Sequence, residues 1–173
     1  MIIKVTLGRW RFTFSMAPIT KVMGVDSTLT DGNHILMWDF DTKTLEEIKL
    51  WLRAVQRMWE LPPIRISQTG KEHGYHAVSM ARREWRMCVA IIAGTRFVDW
   101  NYLKYGIYRG HFTLRVGPKL FRKITYIGEL KSKIPDEAKL EELKSWVKYE
   151  TLEDGWHSRK IELKIFPREE EDE

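Results

Sequence analysis

Apolar and polar positions along this 173-residue chain alternate, regroup at helical spacing and alternate again, and the elements follow from that rhythm. Ile2, Val5 and Leu7 run up to Gly8; Trp10, Phe12 and Phe14 then alternate with Arg11, Thr13 and Ser15, which predicts two short strands over 2–16. Residues 17–34, with Pro18, Gly24, Asp31, Gly32 and Asn33, read as loop with room for one short element. Residues 35–41 (Ile-Leu-Met-Trp-Asp-Phe-Asp) form an apolar strand ending in two carboxylates. Thr44 and Glu47 spell a capping box, and Leu45, Ile48, Leu52, Val55 and Trp59 recur at helical spacing until Pro62-Pro63. Strands over 64–67 and 75–80 follow. A helix over 81–93 carries Trp85, Val89 and Ile92 on one side and closes at Gly94. A further strand opens at Arg96 and runs through Phe97, Val98, Asp99 and Trp100. Residues 105–116 read as two strands turning at Gly110, residues 135–148 as an amphipathic helix through Leu140, Leu143 and Val147, and 161–165 as a last alternating strand.

The central order is strand–helix–strand–strand–helix–strand. It predicts an α+β fold, a ferredoxin-like or RRM-like βαββαβ palm, with an additional β-hairpin and small N-terminal β elements. Right-handed crossovers place the first palm strand in the middle, flanked by the third and fourth. The end of the first strand then lies beside the starts of the other two, which gathers Asp39, Asp41, His76 and Asp99 at one sheet edge.

Side chains alternate on a strand, so Asp39 and Asp41 share a face. Two like charges side by side repel, and burial raises the cost. A divalent cation offsets it; the plainer reading is a strand running into solvent, with Asp41 capping the next element. Three aspartates and nearby cations fit nucleotidyl transfer, in which two metals about 4 Å apart bridge the attacking hydroxyl and the triphosphate. Hard oxygen ligands suit magnesium or manganese. His76, Arg115 and Lys119 are candidates for the phosphates, as is Lys71 between Gly70 and Gly74.

Composition narrows the partners. The chain has 43% hydrophobic and 31% charged residues and a net charge of +5. Glu169 to Glu173 are all acidic; without them 29 basic residues face 19 acidic ones, a body of +10. Such a body favours a polyanion, nucleic acid first. Residues 1–168 are expected to form a single catalytic domain and 169–173 a disordered acidic tail. No run is long enough to span a membrane and no signal-peptide pattern opens the chain, so a cytoplasmic, intracellular protein is expected. The single cysteine, Cys88, sits in an apolar stretch and reads as core; it excludes an internal disulfide and the usual cysteine-based zinc site, so no zinc is expected.

In order along the chain stand Trp38-Asp39-Phe40-Asp41, Gly74-Tyr75-His76 and Phe97-Val98-Asp99. After them, Ile107-Tyr108-Arg109 leads to Leu114-Arg115-Val116-Gly117-Pro118-Lys119. In these motifs the chain resembles the catalytic core of the archaeo-eukaryotic primase superfamily, the primase-polymerases, over about residues 35–120. The resemblance implies that Asp39, Asp41 and Asp99 bind metal and that His76 and Arg115 bind the incoming nucleotide's phosphates, with Arg109 in the basic hairpin as a further nucleotide-binding candidate. It implies a primase or polymerase acting in replication on a single-stranded DNA or RNA template with nucleoside triphosphates. There is no room here for a helicase or helical accessory domain, so the expectation is either that priming from nothing needs a partner such as a helicase or accessory primase subunit, or that the protein only extends primers.

Two other functions fit the same residues: a non-catalytic nucleic-acid-binding replication or regulatory protein, and a metal-dependent nuclease. Other candidates read plainly. His73 and His76 lack the spacing of known His-based motifs, and His34, His111 and His157 read as surface or turn residues. Trp51, Trp59, Trp85 and Trp146 fall in helical patterns, which leaves Trp100 and Tyr108 as candidates for stacking on bases. Arg82, Arg83 and Arg86 read as a solvated basic face of the second helix, with a template contact as the alternative.

Overall fold

The computed structural model describes residues 2–15, 19–41, 43–70, 72, 74–118, 122–144, 146–152 and 160–165. In chain order these form β1 (Ile2–Leu7), β2 (Trp10–Ser15), β3 (Ile19–Asp26), β4 (His34–Phe40), α1 (Leu45–Met58), β5 (Ile64–Gln68), β6 (Tyr75–Arg83), α2 (Trp85–Ala93) and α3 (Trp100–Arg109). Then come β7 (Thr113–Arg115), β8 (Thr125–Leu130), a 3-10 turn (Leu140–Glu142), β9 (Trp146–Leu152) and β10 (Lys160–Ile165). The fold is mixed α+β.

Two compact units divide the chain, Met1–Lys21 with Glu150–Glu173, and Val22–Tyr149. In the first, β1 pairs antiparallel with β2 across the Gly8 turn and parallel with β10. The second holds the helices, most of a β7-β3-β9 sheet and a four-stranded sheet ordered β4-β6-β5-β8. Both β4 and β5 run antiparallel to β6, so the strands joined by α1 are parallel with β6 between them.

Apolar strands and amphipathic helices build the core of the second unit. Ile35, Leu36, Met37, Trp38 and Phe40 are all buried, so β4 is covered on both faces. Ile48, Leu52 and Val55 form the expected apolar stripe of α1, and Thr44 closes the expected capping box with Glu47. Cys88 is buried, its Sγ 3.7 Å from the Ile35 carbonyl, and burial pushes the thiol up to about 12.

Several expectations are corrected. Residues 96–100 form no strand. Phe97 takes a left-handed backbone, φ 71°, which breaks any extended run, and Asp99 starts a helix in its place. Residues 105–116 are the end of α3 followed by β7, not a hairpin; Gly110 sits left-handed at φ 78° and stops the helix. In its four-stranded sheet β4 therefore stands at one end, not in the middle.

The described residues of 135–148 form no α-helix, only the 3-10 turn at Leu140–Glu142 and the start of β9, because backbone groups here bond elsewhere. The Lys144 N–H donates to the Thr28 carbonyl, the Thr30 N–H to the Glu142 carbonyl, and the Glu137 N–H to the Met80 carbonyl. Residues 17–34 contain the full strand β3. Arg82 and Arg83 end β6, not α2; Arg82 pairs with Asp31 and Glu142, and Arg83 with Glu137.

Candidate functional site

Asp39 lies one residue before the end of β4, directly across from His76 of β6. Its Oδ1 stands 3.7 Å from the imidazole Nε2, an ion-pair distance when the ring is protonated. The strand pattern foresaw this neighbour, because the register follows from the antiparallel pairing of two apolar strands.

Asp99 reaches the same place by another route. Its main-chain N–H donates to the Asp39 carbonyl at 2.9 Å. Its carboxylate Oδ1 accepts the Tyr102 N–H at 2.7 Å and caps α3. The Tyr102 hydroxyl in turn donates to the Met37 carbonyl at 3.0 Å. Burial holds that phenol well above its ordinary pKa, and the Asp39 charge adds to the effect. The first turn of α3 is thus stitched to the end of β4 at two points, residues 39 and 37.

Asp39 and Asp99 open on one small cleft of about 170 Å³, shared with Asn101, Tyr105, Arg109 and His111. Gly106 at its base lets α3 approach Phe112, because a Cβ there would meet the ring at 2.3 Å. Tyr102 stacks on Phe112 with ring centroids 5.2 Å apart. The Arg109 guanidinium lies 5.8 Å from the Tyr105 ring centroid. Outside the cleft, Trp100 and Tyr108 are exposed on α3, at 68% and 88%.

The remaining predicted residues are distributed differently. Asp41 comes just after β4, half-buried, and does not line the cleft; nor does His76, which is buried. Arg115 donates to the carbonyls of Gly117 (2.8 Å), Arg122 (3.2 Å) and Thr69 (2.9 Å), and so ties β7 to two loops. Lys71, Lys119, His73, His157 and residues 169–173 lie outside the described residues. Contrary to the surface reading, His34 is buried, its Nδ1 3.0 Å from the Ser27 hydroxyl and its ring 4.9 Å from Trp85.

Asn101, Tyr105 and His111 were missed as cleft residues. The available signal was an aspartate N-cap at 99 and a glycine at 110 bracketing ten residues, a helix signature. Aromatic and β-branched residues at 97, 98, 100 and 102 favoured a strand instead.

The donors at the cleft suit a hard cation, since Asp39 and Asp99 supply carboxylate oxygen. Among the described residues no three histidine, cysteine, aspartate or glutamate side chains are grouped to hold a metal. No family model matches the chain, and no curated protein or solved structure matches it.

Proposed function

We propose that this protein is a template-directed nucleotidyltransferase, a compact primase-polymerase core. The observation that carries the reading is the meeting of the Asp39 and Asp99 carboxylates at one cleft, with Arg109 lining it and His76 against Asp39. The run β4-α1-β5-β6, with β6 between the other two strands, supports a ferredoxin-like palm over that part of the chain.

Asp39 and Asp99 would hold magnesium or manganese, with Asp41 the nearest further carboxylate in sequence. When bound, the metal neutralises phosphate charge and makes a primer hydroxyl a better nucleophile. Arg109 offers a planar cation to the triphosphate. His76, with Nε2 3.7 Å from Asp39 Oδ1, offers that carboxylate an ion-pair partner when its ring is protonated. Trp100 and Tyr108 present exposed rings on which unpaired template bases stack.

Primed single-stranded template, labelled nucleotides and manganese form the test. Wild type is expected to lengthen the primer, and Asp39→Asn to lose at least about 10²-fold, the size of effect that removing one electrostatic catalytic group produces. Absence of extension and of priming with wild type, across both metals and both sugar types, overturns the reading.

A second reading is a nucleic-acid-binding protein without catalysis. It is favoured by the internal engagement of two expected site residues: Asp99 caps a helix and Arg115 clamps carbonyls. Under it, nucleotide and metal leave the melting temperature unchanged, whereas a nucleotide-binding site raises it.

A further inference from the structure

A second concavity lies away from the aspartates. It is a cleft of about 680 Å³ between the last turns of α1 and the segment after β8. Arg53 and Arg57 stand on the α1 side, one turn apart and so on one face. Lys131 and Lys133 stand on the other side. All four are exposed, and among the described residues none of them makes an ion pair, whereas Arg65, Arg82, Arg83, Lys43 and Lys49 all do. Glu60 and Glu129 at the same cleft leave it a net charge of +2.

Four unpaired cations facing one another across a concavity repel. They lower the stability of the fold unless something anionic sits between them. Their arrangement fits a chain of phosphates better than a single anion, because the positive charge is spread over two walls. The cleft volume is that of a site for one small molecule. Positive charge on two facing walls suits one sugar-phosphate backbone running between them, whereas a duplex holds two backbones apart across grooves about 12 and 6 Å wide.

The site is also remote from Asp39. Leu130 pairs with Ile64, three residues along β5 from Ser67, which shares a rung with His76 and, through it, with Asp39. That is about 10 Å along the strands and about 14 Å across three strand spacings.

We propose that the Arg53–Arg57–Lys131–Lys133 cleft binds the sugar-phosphate backbone of single-stranded nucleic acid. The inference does not rest on nucleotidyl transfer: it requires neither metal nor nucleoside triphosphate, and it stands if the aspartate cleft is inert.

The test is fluorescence anisotropy of a labelled 20-nucleotide single strand across 50–200 mM salt, with chelator and no nucleotide. A single strand loses about 0.7 from the log–log salt slope for each phosphate contact removed. Changing all four cations to alanine is expected to cut the slope by about 2–3 and weaken binding at least about tenfold at 50 mM salt. Glu60→Gln removes a carboxylate and no cation, and is expected to tighten binding, which keeps the test informative should the fourfold variant fold poorly.

An unchanged slope and affinity in a folded fourfold variant overturns the proposal, as does unchanged binding by Glu60→Gln if the fourfold variant does not fold. It is equally overturned if a duplex of the same length binds as tightly and loses as much, or if polyglutamate of equal charge displaces the strand as well as unlabelled strand does.

Discussion

Asp99 caps α3 and also lines the aspartate cleft, and substitution separates the two. As the N-cap of α3 its carboxylate accepts the Tyr102 N–H. Asparagine caps about as well as aspartate, whereas alanine costs about 1 kcal/mol. Asp99→Ala is therefore expected to lower the melting temperature by a few degrees, and Asp99→Asn to leave it nearly unchanged while removing the charge at the cleft. If Asp99 serves only as a cap, Asp99→Asn keeps full activity in primer extension. His34 yields a second prediction. Burial lowers its pKa, against the opposing pull of Asp26, so the fold keeps the imidazole neutral. The unfolded chain takes up the proton near pH 6.5, so stability is full above that value and falls as pH drops through it, levelling off below the folded-state pKa. Thermal melts from pH 7.5 to 5 are expected to show this loss, and His34→Gln to flatten it. Asp39 and His76 were legible as neighbours because strand alternation and antiparallel pairing specify both. The burial of His34 was not, because it depends on Ser27 and Trp85, brought to it by other elements.

At the scale of elements, α3 decides the site. The chain has no room for a side chain where α3 meets Phe112, whose ring packs against Tyr102 and Trp85. Gly106→Ala adds a methyl inside contact distance of a buried ring that cannot swing away. Overpacking of this kind costs about 1–3 kcal/mol, or roughly 2–4 °C per kcal/mol in a chain of this length. Thermal denaturation reads the loss, and an unchanged melting temperature would show that α3 does not press on Phe112. The elements with a strong local signal were legible: the capping box of α1, the alternating β1, β2 and β10, and the apolar β4. Those set by distant partners were not. Leu140, Leu143 and Val147 keep a helical stripe, yet the surrounding backbone bonds to Thr28, Thr30 and Met80, and Glu142 binds Arg82, which outweighs local propensity. Likewise the convergence of Asp39 and Asp99 was foreseen through a fourth strand. It arises through a left-handed turn at Phe97 and a helix start.

Across the whole molecule, the charge is distributed so that the aspartate cleft and the cationic cleft lie at different ends of one four-stranded sheet. No helix among the described residues is long and apolar enough to cross a membrane. The buried Cys88 behind β4 has a practical consequence. It is the only cysteine in the chain, and its thiol is held protonated in an apolar setting. Thiolate is the reactive form, so a maleimide dye added to the native protein near neutral pH is expected to label it only as fast as the fold opens. Labelling rate then reports opening of the β4 core without any engineered probe, and prompt labelling would place the thiol in solvent. For the same reason, a cysteine introduced at Tyr108, on the helix that lines the aspartate cleft, or at Lys133, in the cationic cleft, can carry a dye while the native thiol stays silent.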